Sequence, residues 1–86
     1  MKIHELKTIA PYYQFVNEGR KTFEVRKNDR DFQYGDILHL REYNPKNETY
    51  TGNECMAKVG WILRDFPALD DRYVIMNITK IYEYPF

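Results

Sequence analysis

Apolar and polar positions along this chain change rhythm several times, and each change marks an element boundary. Residues 1–7 form a short first strand with Ile3 and Leu6 turned inward. Ile9-Ala10-Pro11 opens a helix, where Pro11 is tolerated because a first-turn N–H has no partner to lose. Tyr12, Phe15, Val16 and Gly19 follow at spacings of three, one and three, a single apolar stripe that Gly19 ends in a left-handed conformation. Thr22 to Arg26 alternates with period two, so Phe23 and Val25 are assigned to the core face and Thr22, Glu24 and Arg26 to the other. After turns at residues 28–31 and 34–36, Ile37 to Glu42 reads as a strand with Leu38 and Leu40 inside. Beyond a polar loop at 44–48, residues 53–64 form a long strand presenting Cys55, Ala57, Val59, Trp61 and Leu63 on one face. Gly60 in its middle predicts a bulge or a bend. Residues 65–71 connect it to a last strand, Tyr73 to Ile81, whose first half is apolar on both faces and so belongs inside a sheet.

These elements describe a small α+β protein: a mixed β-barrel of about five to six strands, partly closed, with one early short helix. A chain of 86 residues supports one core, hence a single domain over residues 1–86. Aromatic residues make up 16% of the chain, a density that suits a small core needing large side chains and leaves a few for stacking. Cys55 is the only cysteine, which excludes a disulfide framework and a thiolate metal site. His4 and His39 stand in no metal-ligand spacing, and the four glycines are too scattered for a phosphate-cradling loop, so no metal or cofactor is expected. The absence of a signal-type apolar run and of a membrane-length segment predicts a cytoplasmic protein with no membrane partner.

Charge changes this picture. Lysine and arginine number 13, as do aspartate and glutamate, so the chain is formally neutral. Within residues 20–31, however, Arg20, Lys21, Arg26, Lys27 and Arg30 face only Glu24, Asp29 and Asp31. Glu24 and Arg26 lie two apart on one strand face with Lys21 just before them. Such a cluster is either a surface ion-pair network of about 0–1 kcal/mol per pair or an anion-holding wall in which Glu24 orients the guanidinium. His4 and Lys7 add a proton carrier and a cation from the first strand. Arg41-Glu42 and Arg64-Asp65 read as solvated pairs, and Tyr43 and Tyr50 flank the polar loop as exposed aromatics.

Gly19-Arg20-Lys21-Thr22-Phe23-Glu24-Val25-Arg26 resembles the Gly-x-Lys-x-x-Glu-x-Arg signature of the ASCH family. The continuation to Phe32 with Gly35-Asp36, the opening His4-Glu5-Leu6-Lys7 and Tyr50-Thr51-Gly52 resemble a small group of uncharacterised bacterial and phage ASCH-like proteins. The resemblance implies a PUA-like fold and a cleft for RNA or a modified nucleoside. By motif match its residues are Lys21, Glu24 and Arg26, with Arg20, Lys27 and Arg30 as a basic rim. Some ASCH proteins are N4-acetylcytidine amidohydrolases using a lysine, a threonine and a glutamate, and others are ribonucleases. Lys21 matches that lysine, but Glu24 stands at the threonine position.

The expected function is therefore an RNA- or nucleotide-binding module whose partner is a short single strand, a structured loop or one modified nucleotide. Binding residues are His4, Lys7, Arg20, Lys21, Glu24, Arg26, Lys27 and Arg30. The alternative is a small hydrolase of modified nucleosides, or a ribonuclease, in which Lys21 and Glu24 are catalytic. A third class, a protein-interaction adaptor, requires an exposed apolar patch.

Overall fold

The computed structural model describes residues 1–82. Five strands and one helix follow in the order β1 (Ile3–Thr8), α1 (Tyr12–Asn17), β2 (Phe23–Lys27), β3 (Ile37–Asn44), β4 (Thr49–Leu63) and β5 (Tyr73–Ile81). They build one curled sheet in the order β1-β3-β4-β5-β2, a half-barrel with the short helix against it. β1 runs parallel to β3 and every other neighbouring pair is antiparallel. A parallel pair needs a crossover, and the chain supplies it through α1 and β2 before returning to β3.

β1 alternates cleanly, with His4, Leu6 and Thr8 buried, so Ile3 points outward and not into the core as the sequence suggested. Leu38 and Leu40 on β3, Ala57 and Val59 on β4, and Val74 and Met76 on β5 are fully buried. Tyr13 and Val16 seal this core from α1. The inward pair on the helix is thus Tyr13 and Val16, while Tyr12, expected on the inner stripe, is half exposed. The helix ends in a Schellman arrangement: Gly19 at φ 77° donates to Val16 O at 2.9 Å and Arg20 donates to Phe15 O at 2.9 Å.

Two irregularities bend the sheet. One lies between Arg41 and Tyr43 on β3, the other between Val59 and Ile62 on β4. At the second, an extra residue sits opposite β5 and reverses the facing of the strand. Trp61, placed in the core by parity with Val59, is consequently 69% exposed. Phe23 and Val25 are also exposed, and Glu24 between them is buried at 3%, the reverse of the facing predicted for β2.

Curling brings the two outer strands, β1 and β2, opposite one another, and arginines from the β2 side span the seam. Arg26 donates to Lys7 O and Thr8 Oγ1, each at 3.0 Å, and Arg30 donates to Glu5 O at 3.1 Å. Two free β1 carbonyls are satisfied in this way, a common need of an open sheet edge.

Candidate functional site

The site starts at the helix stop. The Schellman turn at Gly19 also brings the Lys21 amide to Phe15 O at 3.0 Å, and the chain then pairs with β5 through Thr22 O. Two residues past the left-handed glycine, the lysine is delivered beside the start of β2. Its ammonium donates to Phe23 O at 2.6 Å and to Glu24 Oε1 at 2.5 Å. The other carboxylate oxygen, Oε2, accepts from Arg26 Nε at 2.9 Å. Lys21, Glu24 and Arg26 thus form one continuous chain, with Glu24 inside and both cations at its edge.

A buried carboxylate demands such compensation, because an unpaired charge in the interior is strongly penalised. Arg26 commits all three nitrogens, one to Glu24 and two across the seam to β1. Lys21 commits two contacts and keeps one N–H free. The cluster carries a net positive charge, and its mobile share belongs to Lys21.

Above it opens a pocket of about 750 Å³, within the usual size range of small-molecule sites. Lys7, Thr8 and Ile9 line it from the end of β1, Tyr12 and Phe15 from α1, Arg20 and Lys21 from the turn, and Phe23 to Arg26 from β2. Arg20 Cζ lies 5.1 Å from the Phe15 ring centre and Lys21 Nζ lies 4.8 Å from that of Phe23. The pocket therefore combines aromatic walls with cations set beside two of the rings. Such a lining suits a planar ring carrying an anionic group.

Of the residues singled out in the sequence, Lys7, Arg20, Lys21, Glu24 and Arg26 meet in this pocket. Lys27 and Arg30 line a neighbouring cavity. His4 lies apart from both: it is buried with Nε2 2.8 Å from Asp36 Oδ2 and its ring 4.6 Å from that of Phe32. Nothing in the sequence marks Tyr12, Phe15 and Phe23 as site residues, because alternation names a face without saying what lies above it.

Two further carboxylates are buried, Asp36 and Glu42. Burial alone raises the Asp36 pKa, but the His4 bond and the amides of Lys2 and Gln33 outweigh it and hold the group below its ordinary value. Glu42, expected in solvent, accepts from Gln14 at 2.5 Å, Thr51 at 2.9 Å and Asn53 at 3.1 Å, and these donors hold its pKa low against burial. Gln14 links α1 to β3 through this contact, so Glu42 helps seat the helix that walls the pocket. Burial pushes the Cys55 thiol up, as expected of a packed small side chain and unlike an activated nucleophile. His39 Nε2 stands 3.4 Å from Glu54 Oε1, and Tyr43 and Tyr50 pack edge-on with centres 5.3 Å apart. Among the described residues no three His, Cys, Asp or Glu side chains gather as a metal-holding group, and no helix is long and apolar enough to cross a membrane.

Over 76 residues the chain is 41% identical to a protein of Escherichia phage P2 described as "Uncharacterized 12.9 kDa protein in GpA 3'region", covering 88% of this chain and 67% of the phage protein. A family model matches residues 3–78, from the first residue of β1 into β5, and so takes in both outer strands, the helix stop and the Lys21–Glu24–Arg26 cluster. On that breadth the chain belongs to the family described as Domain of unknown function (DUF3850).

Proposed function

We propose that the protein is an RNA- or nucleotide-binding module of ASCH-like, PUA-like type, with the pocket over Glu24 as its site. The observation that carries this reading is the convergence of Lys21, Glu24 and Arg26 on one cavity walled by Tyr12, Phe15 and Phe23. A base lies against these rings, and its phosphate meets the spare N–H of Lys21 together with Arg20. Glu24, itself held by Arg26, keeps that lysine in place. Since the chain is formally neutral, the footprint is a short single strand or one nucleotide, not a duplex.

Fluorescence or calorimetric titration with the four 5′-mononucleotides and with short single-stranded RNA tests this. Binding at tens of micromolar or tighter is expected at low salt, weakening by about 0.7 in log K per log salt for each phosphate engaged. Lys21→Ala is expected to weaken it about tenfold, the loss of one charge-assisted contact. Absence of binding by every one of these ligands at low salt would reject the reading.

A second reading, hydrolysis of a modified nucleoside such as N4-acetylcytidine or of RNA, is favoured by the 2.5 Å Lys21–Glu24 contact, which sets a carboxylate beside an amine in the same pocket. Turnover that disappears in a folded Lys21→Ala variant would select it over binding alone.

A further inference from the structure

The pocket over Glu24 has a neighbour on the same seam. A second cavity, of about 340 Å³, shares Val25 and Arg26 with the first. From β1 the two take consecutive residues, Leu6 in the second cavity and Lys7 and Thr8 in the first. Arg26 reaches from β2 to Lys7 O and Thr8 Oγ1, so its guanidinium is the partition between them. Along β2 the last residue confined to the first cavity, Glu24, and the one confined to the second, Lys27, are separated by about 10 Å of strand.

Both cavities have an aromatic wall and a basic edge. In the second, Tyr73 forms a partly exposed wall, and Lys27 and Arg30 stand against Asp29. Along the seam five basic side chains (Arg20, Lys21, Arg26, Lys27 and Arg30) oppose two acidic ones, Glu24 and Asp29, on a chain whose formal charge is zero. Rings alternating with cations complement a polymer of bases alternating with phosphates. A peptide adding as a strand fits less well, because the β1 carbonyls of Glu5 and Lys7 already accept from Arg30 and Arg26.

We propose that the seam holds two consecutive nucleotides of a single strand, the first base in the larger pocket, the second against Tyr73, and the linking phosphate over the Arg26–Arg30 edge. This rests on the nucleotide reading of the first pocket and extends it from a monomer site to a strand site.

The test compares each 5′-mononucleotide with the dinucleotide that extends it at the 3′ side and with an acidic peptide of equal charge. The dinucleotide is expected to bind at least about tenfold tighter, with a steeper salt dependence. Tyr73→Ala is expected to remove that gain and keep mononucleotide affinity, whereas Tyr73→Phe keeps both. Mononucleotide binding with no gain from the second nucleotide would overturn the strand site and leave the first pocket's reading standing. An acidic peptide equalling the dinucleotide would also overturn it. If no nucleotide binds, both readings fall. Should Tyr73→Ala fail to fold, the wild-type comparison decides alone.

Discussion

Glu24 is the residue on which the site turns. It is buried at 3% between two exposed neighbours, and its two oxygens are taken by Lys21 and Arg26. Its partners remain partly exposed, with side chains 16% and 22% accessible, so solvent screens part of the attraction. Glu24→Gln keeps the shape but removes the charge that both cations need. We expect it to cost about 2 kcal/mol, below the full cost of breaking a fully buried pair, seen as a lower urea midpoint at pH 7. An unchanged midpoint would mean that the surrounding strands hold the cluster together without help from it.

At the scale of elements, the bulge in β4 decides more than its length suggests. Gly60 carries no Cβ, and one built there would lie 2.0 Å from Asn77 Oδ1 and 3.4 Å from the Asn77 carbonyl oxygen. The close approach of β5, not an unusual φ, requires glycine here. Gly60→Ala is expected to destabilise by about 1 kcal/mol, because the Asn77 side chain must give up its place, while the Asn77 carbonyl oxygen at 3.4 Å stays in ordinary contact. Adding Asn77→Ala should recover most of the loss in thermal melts; no recovery would place the strain on the backbone instead. Gly60 marks the bulge in the sequence, but strict alternation does not follow its consequence: one extra residue exchanges inside for outside, which is why Trp61 stands in solvent.

For the whole molecule, Asp36 and Glu42 set the response to acid. Both are buried, and the donors around them hold their pKa values below ordinary carboxylate values. With the folded pKa depressed, the unfolded chain takes up protons first as pH falls. Their contribution is therefore complete above the unfolded values, near pH 4, and is lost as pH drops toward the folded ones. Urea midpoints between pH 6 and pH 3 should fall steeply below about pH 4.5. Glu42→Gln should make that fall shallower while lowering the midpoint at pH 6; an equally steep profile would exclude Glu42 as a contributor. Because Glu42 also anchors Gln14, the same acid range is expected to loosen α1, one wall of the pocket.

The order of the strands and helix, the stop at Gly19 and the lysine–glutamate–arginine spacing were legible in the sequence, since each depends on local chemistry: alternation, a left-handed glycine, charges of both signs crowded into a short span; the start of β4 was not, for the strand begins at Thr49 and not at 53. Which face of β2 lies inside was not legible. Thr22, Glu24 and Arg26 alternate with Phe23 and Val25 under either assignment, and apolar residues normally win the interior. Long-range pairing reversed that preference. With β2 registered on β5, Glu24 sits opposite buried Met76, while Val25 sits opposite the outward-leaning Ile75. Burying the carboxylate was tolerable only because Lys21 and Arg26 could reach it, and Arg26 could do so while bridging to β1, 18 residues earlier in the chain. The seam between the outer strands, with its two cavities, exists only once the sheet has curled. Local sequence named the charged residues; the folded sheet decided that they line one seam.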